Sequence, residues 1–191
     1  MDSMYRMKTD TQASALLTLD DTRSAAARPS VRAGRRIQVR RASGGRRIQV
    51  RRSGIHGKGV FALQPLAKGE VVIEYTGEVV TWREALRRHP HDPKDPQHTF
   101  YFHIDDKHVI DAKHGGNAAR WINHACSPNC EADEQDGRVF IKALRKIAVG
   151  DELFYDYGLS IDERYTPALK KQYACRCGTR GCRGTLLAPK R

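Results

Sequence analysis

Five cysteines lie in the last third of the chain, and three of them form the run Cys175-Arg176-Cys177-Gly178-Thr179-Arg180-Gly181-Cys182. A Cys-x-Cys-x4-Cys spacing offers three thiolates to one ion, and a structural zinc site closes with a fourth ligand. Cys126 and Cys130 are the candidates for that fourth corner. An odd count of cysteines argues against an extracellular disulfide framework and favours a reducing compartment with metal ligation.

Three further stretches carry residues capable of chemistry. His56-Gly57-Lys58-Gly59 is a glycine-rich turn whose backbone can approach a ligand closely. Its spacing is wrong for a phosphate-binding Walker loop, and alone it reads as an ordinary turn between strands. The stretch GNAARWINHACSPNC, residues 116 to 130, sets the amide of Asn123 beside the imidazole of His124, a possible ligand-reading pair. A lone histidine is more often structural than a ligand. GDELFYDYG, residues 150 to 158, contributes Tyr155 and Tyr157, while Tyr75 and Tyr101 stand in EYTG and FYFHI. Phenols among apolar walls can hydrogen-bond an amine and tune its protonation, although singly they read as strand tyrosines with one wet edge.

Positioning these residues falls to short strands. RIQVRR alternates apolar and polar residues, GVFAL and EVVIEYTGEVV are β-branched runs, and TFYFHI and VIDA flank an Asp105-Asp106 turn. RVFIKALRKI reads as a strand after the Asp136-Gly137 turn. TWREALRRH carries a capping-box pattern, Thr81 with Glu84, and predicts a short helix that HPHDPKDPQH then breaks. DERYTPALKKQY predicts a second short helix before the cysteine run. The pattern is mostly β with small helices, and no strand–helix alternation of a doubly wound sheet occurs.

In this order the four constellations resemble the SET-domain protein-lysine methyltransferases: HGKG, IEYTGEVV, GNAARWINHACSPNC, GDELFYDYG and a cysteine-rich post-SET tail, from about Arg47 to Leu187. The resemblance implies a mostly β, β-clip SET fold in which the segment at Asn123 to Cys126 and the C-terminal segment form a pseudoknot. It implies a SET domain at 45–160 and a post-SET zinc-binding tail at 161–191, while residues 1–44, rich in Ala, Ser, Thr and Arg with no sustained helical period, are expected to be a disordered basic arm. S-adenosylmethionine is then expected on His56, Gly57, Lys58, Gly59, Asn123, His124 and Arg176. Zn2+ is expected on Cys126, Cys175, Cys177 and Cys182, with Cys130 left as a buried thiol. Tyr157 is expected to be the catalytic phenol, with Tyr75 and Tyr101 beside it and Tyr155 at the position that governs how many methyl groups are added. A hydroxyl there favours mono- to dimethylation. Counted back from Asp111-Ala112, the position of a channel tyrosine falls on Phe100, with Tyr101 next to it on the opposite strand face. Tyr101 is preferred for both the channel and the cofactor contact.

The net charge is +12, of which residues 1–54, with 13 Lys and Arg against 4 Asp, hold +9. Two near-copies of GRRIQVRR lie in this region. The second runs into HGKG and predicts the first SET strand, with Ile48 and Val50 facing the core. The first predicts a flexible cationic arm, with at most a short helix near residues 11–19 further upstream. The arm allows non-specific nucleic-acid contact, and a catalytically inactive SET fold acting as a basic chromatin-binding module is the competing reading. No run approaches the roughly 18 apolar residues of a membrane span, and no secretory signal is evident, so a soluble intracellular protein without a membrane partner is expected. The expected location is the nucleus or chromosome in a eukaryote, and the cytoplasm or a host cell for a bacterial source. The expected partner is a lysine-containing protein, a histone or another basic DNA-associated protein.

Overall fold

The computed structural model describes residues 5–7, 46–88, 100–161 and 163–190. The expectations for a helix near 11–19, for the first GRRIQVRR copy and for the proline-rich break after Arg88 lie outside these residues. Twelve short strands and two short helices make up the described fold, which is mostly β as the sequence predicts.

The strands β2 (Ile48–Arg52) and β3 (Lys58–Ala62) form an antiparallel hairpin around the HGKG turn, with Gln49 opposite Phe61. Ile48 and Val50 pack against the core, as their alternation predicts. The strands β4 (Val71–Tyr75), β9 (Cys130–Gln135) and β10 (Arg138–Ala143) form a three-stranded sheet in the order β4-β10-β9. Asp136 (φ 52°) and Gly137 (φ 75°) turn β9 into β10, the left-handed pair that a two-residue hairpin requires. A second three-stranded sheet runs β5 (Glu78–Thr81), β7 (His108–Asp111), β6 (Tyr101–His103). Helix α1 (Trp82–Arg88) follows β5 directly, and Thr81 Oγ1 accepts the Glu84 amide at 3.2 Å as its cap.

A 3-10 turn at Ala118–Trp121, capped by the Asn117 side chain, leads into β8 (Asn123–His124). That two-residue strand pairs in parallel with β11 (Phe154–Tyr155), Phe154 opposite Asn123 and Tyr155 opposite His124. Two chemistry-bearing motifs are thus laid side by side by backbone pairing. The strand β12 (Leu159–Ile161) then pairs antiparallel with β1 (Tyr5–Met7), an N-terminal strand that the sequence pattern does not announce. Helix α2 (Pro167–Gln172) has Thr166 as its cap and proline in its first turn.

The main core gathers Val60, Leu66, Ile122, Ile141, Ile147 and Leu153, each at most 1% exposed. A smaller cluster of Leu159, Ile161, Tyr173 and Leu187 holds the C-terminal tail, and another of Val80, Ala85 and Val109 sits under α1. Gly116 marks a close approach of two chain segments: a Cβ there would run into the Ala112 carbonyl.

Candidate active site and metal centre

The β8–β11 pairing sets His124 and Tyr157 against each other, ring centroids 5.3 Å apart. The Tyr157 amide donates to His124 Nδ1 at 3.1 Å, and the Tyr157 hydroxyl donates to the Ile122 carbonyl at 3.0 Å. Tyr155 lies 4.9 Å from Tyr157 and 6.3 Å from Phe102 by ring centroids, and Phe102 lies 5.2 Å from Tyr75. Tyr75, Tyr155 and Phe102 are buried, and the Tyr75 hydroxyl donates to the Phe100 carbonyl at 3.2 Å. Burial pushes the phenols of Tyr75, Tyr155 and Tyr157 above their ordinary pKa, with the neighbouring Tyr157 adding to the shift at Tyr75 and Tyr155. They are therefore neutral donors at physiological pH. A compact cluster of protonated phenols around Phe102 is the result.

Tyr101 does not join this cluster, contrary to the expectation. Its hydroxyl donates to the Ala85 carbonyl at 3.1 Å, and its ring packs with Val80, Ala85 and Val109 beneath α1. Burial there raises its pKa to about 12. The reason is strand parity: alternate residues of β6 face opposite sides, so Phe102 points to the tyrosines and Tyr101 away from them. Phe100 shares the Phe102 side, packing against the main core with its ring edge-on to Trp121 at 5.0 Å. On the face turned to the tyrosines β6 carries Phe102 and not Tyr101.

On the other flank of the β8–β11 pair, Asn123 Nδ2 donates to the carbonyl of Lys58 at 2.9 Å and to Glu152 Oε1 at 3.0 Å, with a longer contact of 3.4 Å to the carbonyl of His56. The HGKG turn is therefore tied to the asparagine through its own backbone. Glu152, which the sequence reading passed over, also accepts from Ser53 Oγ at 3.1 Å. It occupies the space where a side chain at position 59 would project, so Gly59 is needed for this approach. His56, Gly57 and Lys58 stay exposed, and Gly57 is left-handed at φ 49°. The Lys58 ammonium lies 4.4 Å above the Trp121 ring, which the Arg120 guanidinium approaches at 4.9 Å. Arg176 is exposed on the C-terminal tail.

The four expected cysteines converge. The sulfurs of Cys126, Cys175, Cys177 and Cys182 all lie within 4.8 Å of one another, with Cys126 at 3.6 Å from Cys175 and 3.9 Å from Cys182. A tetrahedral Zn–S distance of about 2.3 Å implies sulfur–sulfur edges of about 3.8 Å, so the set fits zinc. Cys130 is fully buried in β9 and apart from this group, and burial pushes its thiol up to about 12. It lies outside the four-cysteine set.

His124 joins the two centres. Its Nδ1 accepts the Tyr157 amide, so the neutral ring carries its proton on Nε2, which lies 3.3 Å from Cys126 Sγ. Burial lowers its pKa to about 4, opposed by Asp156, and the ring is neutral at physiological pH. Asp156 in turn forms a two-pronged ion pair with Arg183, whose own amide donates to Cys126 Sγ at 3.4 Å. The Asp156–Arg183 pair, absent from the sequence reading, fastens the tail beside Tyr157.

The SET domain profile matches residues 57–158. The chain is 37% identical over 139 residues to histone-lysine N-methyltransferase SETD1 of Drosophila melanogaster, covering 70% of this chain and 8% of that protein. It is 42% identical over 139 residues to the H3 lysine-4 specific histone-lysine N-methyltransferase of Candida albicans, covering 70% and 13%. The trithorax histone-lysine N-methyltransferase of Drosophila virilis is 38% identical over 135 residues, covering 69% and 3%. The chain thus spans between 3% and 13% of the length of these relatives. The matched span contains the glycine turn, the Asn123-His124 pair and the Tyr155–Tyr157 segment, and on that match the chain belongs to the SET-domain family.

Proposed function

We propose that this protein methylates lysine ε-amines of histones, with S-adenosylmethionine as methyl donor and zinc as a structural ion in its C-terminal tail. The observation that carries the reading is the convergence of Tyr75, Tyr155 and Tyr157 on one side of the β8–β11 pair, with the HGKG turn bound to Asn123 on its flank.

The turn fits the cofactor: Gly57 is exposed with nothing within 4 Å of where a Cβ would stand, and the exposed Lys58 carries an ammonium that can meet a carboxylate. We assign the donor to His56, Gly57, Lys58, Gly59, Asn123, His124 and the exposed Arg176. The sulfonium supplies an electrophilic methyl group. A lysine amine, with an unperturbed pKa of about 10.4, must lose its proton before it can accept that methyl. A pocket walled by Phe102 and the buried tyrosines disfavours the ammonium by desolvation, and a protonated phenol can then orient the neutral amine. Tyr157 takes the central role because its hydroxyl and amide are both fixed, which makes its contribution one of orientation and electrostatics. Tyr155, fully inside the pocket, limits the space in which a methylated amine can turn, and mono- to dimethylation is the expected outcome.

The sulfur geometry supports zinc on Cys126, Cys175, Cys177 and Cys182. The division into a basic arm at 1–44, a SET domain at 45–160 and a post-SET tail from 161 is part of this proposal, with the cluster of Leu159, Ile161, Tyr173 and Leu187 packing the tail onto the end of the domain. The relatives named for histone substrates, one of them for H3 lysine-4, make the H3 tail the first substrate to test. Such a substrate places the protein in the nucleus of a eukaryote. No described helix is long and apolar enough to cross a membrane.

The test is transfer of labelled methyl from S-adenosylmethionine to mixed histones and to a peptide of the H3 N-terminal tail, read by mass spectrometry. Lysine-specific label is the expected result. Protein that binds nucleic acid yet leaves every histone unlabelled would instead establish the inactive basic module.

A further inference from the structure

Residues 46–62 carry Arg46, Arg47, Arg51, Arg52 and Lys58 and no Asp or Glu. Arg47 is paired with Glu70. Arg46, Arg51 and Arg52 stay exposed, and no carboxylate of the described residues pairs with them. Elsewhere Arg88, Arg138 and Arg183 are matched to Glu78, Glu74 and Asp156. The β2–β3 hairpin thus holds its positive charge without local compensation.

The register fixes where that charge stands. Arg52 is the direct partner of Lys58 across the ladder, and like charges at opposed positions repel. The Arg51 guanidinium stands 5.6 Å over the Phe61 ring, and its Nε donates to Gln49 Oε1 at 3.2 Å. Those contacts hold the group by its face and one edge and leave both terminal nitrogens for an outside acceptor, at little further loss of side-chain freedom. β2 is the outer strand of its sheet, with β3 as its one described partner. From Arg46 to Arg52 the chain covers at most about 20 Å, a length over which duplex DNA presents about 12 phosphate charges. Bases find no platform here, since Phe61 lies under Arg51 and Trp121 under Lys58. Single strands are held largely by such stacking, so the chemistry favours the backbone of a duplex.

We propose that the β2–β3 hairpin, through Arg46, Arg51 and Arg52, binds the phosphate backbone of duplex DNA without reading its sequence. The surface is separate from the cationic arm expected at 1–44, and it does not depend on methyl transfer. Lys58 stays with the donor, so the DNA edge and the cofactor turn share one hairpin.

The test is fluorescence anisotropy of the full chain on a labelled duplex of about 30 base pairs, over a range of salt. It compares wild type with Arg51→Gln/Arg52→Gln and with Lys170→Gln/Lys171→Gln, which removes the same charge from exposed positions of α2. Losing two phosphate contacts should lower the slope of log affinity against log salt by about 1.8, and weaken binding at about 0.1 M salt at least tenfold. Arg46→Gln, ahead of the ladder, should lower the slope by about 0.9 and keeps the test decisive if the double variant melts early. The α2 variant should stay within about twofold of wild type, and a single strand of the same length should bind about fivefold more weakly than the duplex. Wild type that does not bind the duplex overturns the proposal, as does an equal loss in both double variants, which would leave net charge alone at work. An unchanged slope in the hairpin variants, or tighter binding of the single strand, overturns it too. Self-association of the hairpin variant with DNA affinity intact would make these arginines guards of an exposed strand edge instead.

Discussion

The Asn123 carboxamide donates to Glu152 Oε1 at 3.0 Å, and the other oxygen of that carboxylate accepts from Ser53 Oγ at 3.1 Å. Through this one side chain the β2–β3 hairpin and its glycine turn are held against the β8–β11 pair. Glu152→Ala leaves Asn123 and Ser53 without that acceptor, at a cost of about 1–3 kcal/mol of stability. Because the turn is the proposed cofactor cradle, its affinity for S-adenosylhomocysteine should weaken about tenfold, the equivalent of one such hydrogen-bonded contact. Isothermal titration checks this, and an unchanged dissociation constant would separate Glu152 from the cofactor site.

Tyr157→Phe removes one hydroxyl that donates to the Ile122 carbonyl and leaves the ring contacts with His124 and Tyr155 in place. A phenol whose oxygen accepts from the amine and orients it in the transition state should be worth about 100- to 1,000-fold in kcat, as other preorganised polar groups are. Binding of the H3 peptide and of the cofactor should change little, since the pocket walls remain. Steady-state kinetics with parallel binding measurements separates the two terms. A rise in KM at constant kcat would reassign Tyr157 to ground-state binding.

The order of motifs and most strands could be read from the chain because each depends on local pattern. Alternation in IQVRR and the Asp136-Gly137 pair specify their own geometry. The strands β8 and β11, two residues each, exist only because distant segments meet, and no local signal marks them. CEADEQ is poor strand sequence, yet it forms β9 because β10 supplies a complete partner, with Lys142 pairing Asp133 across the ladder. Glu152 carries no local signal of its role, since its partners Ser53 and Asn123 are far away in sequence. The cysteine set was legible in its three-residue run and its resemblance, and geometry adds the distance at which Cys126 completes it.

Zinc content separates the two cysteines that the sequence offered for the fourth corner. Purified protein should carry about one zinc per chain, lost in Cys126→Ser and kept in Cys130→Ser, because Cys130 is buried apart from the cluster. Removing the ion by chelation should expose the tail, from Arg183 and its bond to Cys126 Sγ through Leu187, to proteolysis before the β4-β10-β9 sheet opens. Acidification should act in the same direction as chelation, since thiolate ligands must be deprotonated to hold the metal. Zinc retained by Cys126→Ser would move the fourth ligand elsewhere.

Tyr155→Phe tests the space around the amine. The ring is buried between Tyr157 and Phe102, and a phenylalanine keeps those contacts while removing the hydroxyl. Wild type should release mainly mono- and dimethylated peptide, and the variant should shift the product toward trimethylation with kcat for the first methyl within about threefold, a difference below 1 kcal/mol. Mass spectrometry of product distributions over time reads the outcome directly. Efficient trimethylation by wild type would show that the hydroxyl imposes no limit.

Tyr101 and Phe100 occupy adjacent positions and opposite faces, so a pair of substitutions decides which belongs to the pocket. Tyr101→Phe gives up the bond to the Ala85 carbonyl, at about 1 kcal/mol of stability, beneath α1 and away from the tyrosine cluster. Its kcat should match wild type. Phe100→Ala opens the side that packs on Trp121, whose ring face also holds the Lys58 ammonium, and a cavity there disturbs the turn through that contact. Cofactor affinity and kcat should both fall about tenfold, with a stability cost below the roughly 3–5 kcal/mol of a fully buried phenylalanine because Phe100 is partly buried. Thermal denaturation alongside kinetics distinguishes a damaged site from a damaged fold. Loss of activity in Tyr101→Phe with stability intact would return that phenol to the pocket and require β6 to present its other face.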